Sequence, residues 1–264
     1  MVKKRIIFAL LYSDGYFHLS RNFRLQKVGD VGWLINNFGF GETCHFIDEL
    51  ICILVKPNPN EEDKIHFLKD IEKLRKKIFV PITIGGGIQK IDDVKQYFIN
   101  GADKVLINSN IYNVELLKNI ENNWGKQSIS IMLDCLKIDK SNDYQIMINS
   151  GSQFKLHLSE FIKNFLEKIP FGELIINSIN NDGNGSGLDM DLIKIFPKKI
   201  NFPILLMGGA GKPDHIFLGL NETKISGVVT ANLFNFLGSG LELSRKKCIE
   251  KGVNLANFSN SISL

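Results

Sequence analysis

The sequence predicts an α/β fold, a single (β/α)8 TIM barrel that takes up all 264 residues. Short apolar runs alternate with segments of helical periodicity, and the runs are almost continuously hydrophobic, as in parallel strands buried on both faces. Eight such runs occur, and the second half of the chain repeats the first at an offset of about 123 residues. An open, doubly wound sheet would share the alternation, but eight units in a chain of this length favour a closed barrel.

The first predicted strand follows Lys3-Lys4-Arg5, and its apolar run is too short for a membrane span or a typical signal peptide. Between the strands, segments such as Ile91–Phe98 place their apolar residues on one helical face. After the fifth strand, Tyr144–Ile148 and the Ser150-Gly151 turn predict an additional hairpin, whose role is unassigned. The eight barrel strands are predicted at Ile6–Leu11, Leu50–Val55, Pro81–Ile84, Val105–Asn108, Ile129–Asp134, Leu174–Asn177, Ile204–Met207 and Gly227–Ala231.

The internal repeat predicts one domain, residues 1–264, made of two fused half-barrels at roughly 1–124 and 125–264. A boundary between two unlike domains near the middle of the chain is therefore not expected. The matching positions, 122 to 124 residues apart, include Pro81 with Pro203, Val105 with Val228, and Glu49 with Glu173.

Charge and cysteine content exclude several classes of function. The 32 basic and 28 acidic residues give a net charge of +4, and the basic residues are spread along the chain, so nucleic-acid binding is not expected. The four cysteines form no CxxC pair and match no zinc-ligand spacing, so we expect no metal and no cofactor. Free thiols are typical of a cytoplasmic protein.

Two glycine-rich turns are candidate phosphate sites. Gly85–Gly87 and Gly208–Gly211 each follow a strand, where backbone N–H groups can approach an anion closely. Each turn is followed by one more strand that ends in small or polar residues, Asn108-Ser109 and Ala231-Asn232. Adjacent strand ends in a barrel form phosphate cups, so the pair predicts a ligand that is phosphorylated at both ends. A tight turn between strand and helix is the alternative interpretation of each.

At the opposite ends of the strands, four charged residues stand immediately ahead of a strand. They are Arg5, Glu49, Lys104 and Glu173, two positive and two negative. Where the strands converge, alternating charges of this kind can form a neutral, salt-bridged ring. Charges on this face of a barrel usually serve stability.

The ordered motifs at the strand ends resemble the cyclase subunit family of imidazole glycerol phosphate synthase, a two-fold repeated (β/α)8 barrel of histidine biosynthesis. The resemblance extends nearly from end to end. It implies a glutaminase partner that hydrolyses glutamine, and ammonia that passes through the barrel to a ligand at the other end. The motifs are Lys4–Ile7, Asp14-Gly15, Asp48–Leu50, Gly85–Ile88, Gly101–Val105, Gly172–Leu174, Asn177–Gly183 and Gly208–Lys212.

The resemblance also implies roles for individual residues. It makes Arg5, Glu49, Lys104 and Glu173 the gate through which ammonia enters, and it makes Asp103 a salt-bridge residue at the glutaminase interface. The residues implied in phosphate binding are Gly87, Asn108, Ser109, Asp182, Gly183, Gly209, Ala231 and Asn232, the last of which replaces a serine.

The departures from the family lie at the catalytic end. Family members use two aspartates, at the ends of the first and fifth strands, as an acid–base pair. Here the fifth-strand member is Asp134, whereas the first-strand position is Leu11. Leucine cannot titrate, so the two-carboxylate mechanism is incomplete, and Asp134 is either catalytic or a structural cap. Leu19, Leu54 and Met207 also replace the lysine, aspartate and serine of the family.

A subgroup of the family has leucine at the first-strand position. Its members act with a glutaminase and an ATP-dependent amidotransferase to make acetamidino sugars for surface glycans, and Ala9–Gly15 and Val28–Asp30 resemble that subgroup. The leading hypothesis is therefore an ammonia-conducting barrel that serves amidine formation, with a phosphorylated small molecule as a candidate ligand. The alternatives are a genuine cyclase in which another group, such as Asp14, replaces the lost carboxylate, and a scaffold that activates a glutaminase without conducting ammonia.

Overall fold

The computed structural model describes residues 3–37, 44–138, 142–231 and 239–256. The strands are β1 (Arg5–Ser13), β2 (Tyr16–Arg21), β3 (Arg24–Gly29), β4 (Glu49–Leu54), β5 (Ile82–Gly85), β6 (Lys104–Ile107), β7 (Ile129–Lys137), β8 (Tyr144–Ile148), β9 (Gln153–His157), β10 (Glu173–Ser178), β11 (Ile204–Met207) and β12 (Ile225–Thr230). The α-helices are α1 (Val31–Asn37), α2 (Glu61–Arg75), α3 (Ile91–Ile99), α4 (Val114–Trp124), α5 (Leu158–Asn164), α6 (Pro213–Asn221) and α7 (Gly240–Glu250).

Eight of these strands close into a parallel barrel. Their order around it is β10, β11, β12, β1, β4, β5, β6, β7, and β7 pairs with β10 to complete the circle. Each predicted apolar run falls on one barrel strand, so the predicted (β/α)8 barrel is confirmed. The division into half-barrels near residue 124 stays a prediction.

Two antiparallel hairpins extend the barrel at the carboxyl ends of the strands. The β2–β3 hairpin continues β1, where Leu11 pairs with His18, and the β8–β9 hairpin continues β7, where Asp134 pairs with Met147. The predicted strand Tyr144–Ile148 and its turn are thereby confirmed, whereas the β2–β3 hairpin has no counterpart in the sequence prediction. The two hairpins occupy corresponding positions in the repeat.

Helix α2 shows how the sequence defines the outer layer. Asn60 caps its first turn, because its side-chain oxygen accepts a hydrogen bond from the Asp63 N–H and the Asp63 carboxylate accepts one from the Asn60 N–H, both at 2.9 Å. Phe67, Ile71 and Leu74 recur at helical spacing and are fully buried in the core outside the barrel. No helix in the described part of the chain is long and apolar enough to cross a membrane.

A second, smaller apolar cluster fills the inside of the barrel. Alternation along β1 turns Arg5, Ile7, Ala9 and Leu11 to the same side, so the apolar residues lie between a charged end and a mouth. The inner cluster consists of Ile7, Ala9, Ile51, Leu106, Met132, Ile175, Leu205, Met207 and Val229, each at most 5% exposed.

Candidate functional site

At the amino-terminal ends of the barrel strands, the four predicted gate residues form a closed ring. Arg5 Nη1 lies 2.5 Å from Glu49 Oε1 and 2.9 Å from Glu173 Oε2. Lys104 Nζ lies 2.9 Å from Glu49 Oε2 and 3.0 Å from Glu173 Oε1. Every cation therefore contacts both carboxylates. The role of this ring as an ammonia gate stays a prediction.

The two carboxylates of the ring are buried, and the two cations are partly buried. Burial alone would raise the pKa of Glu173, but the charges of Lys104 and Arg5 and a 2.6 Å hydrogen bond from Ser130 Oγ outweigh it and lower that pKa. Burial likewise opposes the charge of Arg5, yet the two glutamates raise its pKa. Both shifts keep Glu173 and Arg5 ionised near neutral pH, and the ion pairs hold the four side chains together at this end of the barrel.

At the mouth of the barrel, Asp134 is held by two asparagines. Asn177 Nδ2 donates to its Oδ1 at 2.9 Å, and Asn108 Nδ2 donates to its Oδ2 at 3.0 Å. Burial raises the pKa of Asp134 to about 6, against the opposing effect of these hydrogen bonds, and the nearby charge of Asp182 adds to the rise. A carboxyl group with this pKa can take up and release a proton near neutral pH.

The end of β1, which corresponds in the repeat to the end of β7 that carries Asp134, is apolar. Leu11, the residue at the matching position, is 7% exposed, and Met207 is 4% exposed. Leu54 is buried in the outer core, and Leu19 packs against that core as it lines a cavity at the mouth. Position 11 therefore offers no second proton-transfer group.

Asp14, the candidate substitute for the missing carboxylate, forms an ion pair on the surface. Lys56 Nζ lies 2.8 Å from Asp14 and 2.8 Å from Asp63. The hydrogen bond from Lys56 lowers the pKa of Asp14, and the backbone of Asp14 lies in the left-handed region at φ 50°, as in a turn. Both features suit a structural residue, because a general base near neutral pH needs a raised carboxyl pKa.

The predicted phosphate residues of the second half surround a cavity of about 360 Å³. Asp182, Gly183, Gly209 and Ala231 line it together with the β2–β3 hairpin. The two glycines are also required by the fold, because a Cβ would lie 1.9 Å from the Ser20 carbonyl oxygen at Gly183 and 2.0 Å from the Gly187 oxygen at Gly209. Glycine at these turns is therefore no evidence of phosphate binding by itself. Asn232 lies outside the described residues.

In the first half, the corresponding residues contact other residues of the protein. Ser109 Oγ accepts a hydrogen bond from the Asn149 N–H at 3.1 Å and donates to Asn108 Oδ1 at 3.3 Å. A Cβ on Gly87 would lie 2.5 Å from Pro59 Cγ. The β8–β9 turn and Pro59 thus cover this cup, and phosphate binding by Gly87, Asn108 and Ser109 stays a prediction.

Asp103, the predicted partner-interface residue, has a local role in the barrel. Its carboxylate accepts a hydrogen bond from the Ile82 N–H at 2.8 Å, at the start of β5. It stands directly before Lys104 of the ring, on the same face of the barrel. Contact with a partner protein is untested.

Several residues at the two ends were not predicted from the sequence. Ser130 holds Glu173 in the ring, and Asn177 holds Asp134 while its own Oδ1 is buried and accepts no hydrogen bond from the described residues. Arg21 and Arg24 line the cavity from the hairpin. Ser130 and Asn177 are polar residues inside apolar strands, and the sequence shows this. Arg21 and Arg24 can be placed at the mouth only when the β2–β3 hairpin is known.

Closed strand order, a charged ring at one end and a titratable carboxylate at the other define a (β/α)8 barrel with functional candidates at both ends. Residues 54–238 match the family described as histidine biosynthesis protein. The chain belongs to that family and, within it, to the cyclase subunits of imidazole glycerol phosphate synthase.

Three relatives illustrate the similarity. A protein of Parasynechococcus marenigrum, provisionally described as imidazole glycerol phosphate synthase subunit hisF2, is 41% identical over 94% of this chain and 91% of its own. The HisF subunit of Natranaerobius thermophilus is 31% identical over 97% and 99% of the two chains. The HisF subunit of Prosthecochloris aestuarii is 28% identical over 96% and 98%.

Proposed function

We propose that this protein receives ammonia from a glutaminase at the charged ring and delivers it through the barrel to an amination other than imidazole formation. The observation that carries the proposal is the contrast between a complete ring and a mouth in which Leu11 faces Asp134. We propose acetamidino modification of a sugar, for a surface glycan, as the destination. An ATP-dependent sugar amidotransferase is then the second partner.

The ring supports the entry step. A ring in which each cation contacts two carboxylates can open by exchanging one ion pair while the remaining pairs hold the charges. The four groups stand where a glutaminase docked on this face would release its product, next to Asp103. The relatives are named as subunits of a synthase, which supports a partner protein.

The interior supports passage of the neutral molecule. Residues such as Ile51, Leu106 and Ile175 lie between the ring and the mouth and are almost completely buried. An apolar interior disfavours ammonium, because a desolvated ion has no compensating charge there, and it admits the uncharged base more readily. Asp134 and the unpartnered Oδ1 of Asn177 then offer acceptors for the N–H groups of ammonia at the mouth.

The mouth supports a reaction other than cyclisation. Closing the imidazole ring and expelling the second product needs one group that accepts a proton and another that donates one. Asp134 can perform either step alone, whereas Leu11 can perform neither. A barrel that only passes ammonia onward needs no such pair. We infer a cytoplasmic location as part of this proposal, in keeping with the free thiols of Cys52, Cys135 and Cys248.

The deciding experiment measures imidazole glycerol phosphate formation. The purified protein is mixed with the ribulosyl aminoimidazole substrate and either an ammonium salt or a glutaminase with glutamine. We expect no product, and clear turnover would overturn the proposal. The Leu11→Asp variant is the matched arm, because turnover by that variant alone would attribute the loss to this position. Complementation of a histidine auxotroph checks the same outcome in cells.

The cyclase remains a second candidate because HisF subunits match almost the whole chain and because Asp134 has a pKa of about 6. Retained turnover in the wild-type protein would establish it.

The scaffold alternative is separated by the Lys104→Ala variant. If ammonia passes the ring, this change should lower the amount of aminated product per glutamine hydrolysed by about tenfold, since a broken gate leaks or blocks ammonia. The Lys118→Ala variant removes an exposed lysine of helix α4 and is the control. Unaltered coupling in the ring variant would favour the scaffold.

A further inference from the structure

The cavity at the mouth has one wall made by each half of the chain. One wall consists of turns from the second half, including Gly183–Gly185 and Gly208–Ala210. The other wall is the β2–β3 hairpin of the first half, which contributes Arg21, Arg24 and Gln26. Two guanidinium groups thus border a space of about 360 Å³, large enough for a small phosphorylated or acidic sugar.

The positive charge of the two arginines is not used within the described part of the chain. Both residues are exposed, and no described carboxylate lies within 4.0 Å of either guanidinium. By contrast, Lys56 and Lys137 at the same end of the barrel are both paired with aspartates. Among the described residues that line the cavity, Asp182 is the one acidic residue, so there positive charges outnumber negative ones two to one.

The carboxylate of Asp182 is engaged in holding the hairpin in place. Its Oδ2 accepts hydrogen bonds from Ser20 Oγ at 2.5 Å and from the Phe23 N–H at 3.0 Å. Its backbone oxygen accepts one from the Asn22 N–H at 3.0 Å. The backbone that carries Arg21 and Arg24 is therefore held against the opposite wall of the cavity. This limits the conformational entropy that the hairpin loses when a ligand binds.

Among the described residues, the first-half cup has no equivalent unpaired cation. The β8–β9 hairpin, which corresponds to β2–β3 in the repeat, brings Asn149 onto Ser109 and has Phe154 and Lys155 beyond its turn. Lys155 Nζ lies 4.8 Å from the centre of the Tyr112 ring. Pro59 and the stem of Lys64 lie against Gly87, and the Lys64 ammonium is already paired with Asp93 at 2.7 Å.

From these two walls we infer that Arg21 and Arg24 bind a single phosphate group of the ligand in the second-half cup. The ligand then carries one phosphate rather than the two that the pair of glycine turns predicted. Two guanidinium groups can each donate paired hydrogen bonds to phosphate oxygens, and the strand-end backbone contacts it from the other side. Asp182 is a positioning residue. The binding of this ligand does not depend on the proposed function. Only the role of the bound ligand, as the molecule that is aminated, rests on it.

The test is calorimetric titration of the purified full chain, without a glutaminase, using defined probes. They are ribose 5-phosphate, fructose 1,6-bisphosphate, glucuronate and glucose. We expect one ribose 5-phosphate per chain, no binding of glucose, and a bisphosphate affinity within about threefold of that of the monophosphate, since Lys64, the lysine beside Gly87, is already paired with Asp93. Because no ammonia is involved, the outcome is independent of the turnover test above.

Variants of the two arginines test whether ribose 5-phosphate binds at the β2–β3 hairpin. Arg21→Gln and Arg24→Gln should each weaken ribose 5-phosphate binding about tenfold, the loss expected for one charge-assisted contact. Lys27→Gln is the control, because Lys27 belongs to the same hairpin but lies 3.0 Å from the centre of the Tyr16 ring, away from the cavity lining. Its affinity should stay within about twofold.

Three outcomes would overturn the inference. One is no detectable binding, or unchanged affinity in both arginine variants. Another is fructose 1,6-bisphosphate binding more than about tenfold tighter than the monophosphate, which would indicate two phosphate sites. The third is preferential binding of glucuronate, which would assign the arginines to a carboxylate.

Discussion

The two ends of this barrel handle charge in opposite ways. At the ring, two basic and two acidic side chains lie within 3.0 Å of their partners, in equal number. At the mouth, the hydrogen-bond partners of Asp134 in the described part of the chain are neutral amides, and its pKa rises to about 6. The ring thus stays charged by mutual contact, whereas the mouth keeps one group free to change its charge. Paired charges of this kind suit a selective entrance, and a carboxyl group that can change its charge suits proton transfer.

The largest effect is expected from breaking the ring. Glu173→Ala removes a carboxylate that contacts Arg5, Lys104 and Ser130, leaving two partly buried cations with Glu49 alone. We expect the free energy of unfolding to fall by about 3–5 kcal/mol, measured by urea denaturation. Glu167→Ala, at an exposed position, should change it by less than about 0.5 kcal/mol. A similar small loss in both variants would show that the ring contributes little to stability.

A smaller effect, which depends on pH, is expected at the mouth. The pKa of Asp134 is about 6 in the folded protein and near 3.8 in the unfolded chain. The folded protein therefore keeps this carboxyl group protonated up to a higher pH. Its contribution to stability is fully present below pH 3.8 and is lost as the pH rises through 6. Relative to the wild type, Asp134→Asn should therefore gain roughly 2–3 kcal/mol between pH 4 and pH 7.

Urea denaturation at a series of pH values measures this difference. Asp92→Asn, at an exposed aspartate of helix α3, is the matched control and should show no comparable gain. A difference between wild type and Asp134→Asn that is constant with pH would mean that the carboxyl group has an ordinary pKa.

The smallest effect concerns the contact between the two hairpins. Gly151 has φ 78°, and a Cβ there would lie 2.6 Å from Phe23 Cδ2 at the tip of the other hairpin. Gly151→Ala should cost about 1 kcal/mol for the left-handed backbone and about 1 kcal/mol more for displacing Phe23. Gly252→Ala isolates the first cost, since its φ is 81° and no atom lies within 4 Å of the added Cβ. Equal losses in thermal unfolding would mean that Phe23 moves aside freely.

The barrel was predictable because its strands are buried on both faces. Runs such as Ile129–Asp134 stand out as continuous hydrophobicity, and position along the chain then assigns Arg5 and Lys104 to one end. The ion-pair pattern of the ring and the raised pKa of Asp134 were not predictable, since both depend on which side chains meet across strands far apart in sequence.

The β2–β3 hairpin was missed for a local reason. Its strands are half-exposed and mostly polar, and its turn places Asn22 and Phe23 in the left-handed region, at φ 49° and 63°. Phenylalanine is rare in that conformation, so the sequence carries no ordinary turn signal there. The Ser150-Gly151 turn of the other hairpin has such a signal and was predicted. Arg21 and Arg24 were overlooked together with the hairpin that carries them.

The distribution of the ring charges between the halves determines which half-barrels could associate. Glu49 and Glu173 are repeat partners, but both cations, Arg5 and Lys104, come from the first half. Two copies of the first half would bury four cations against two carboxylates, and two copies of the second would bury two carboxylates with no cation. Either homodimer would carry uncompensated buried charge, whereas one half of each kind is neutral. The ring therefore makes the halves complementary, so that separately expressed fragments should assemble with each other rather than with themselves.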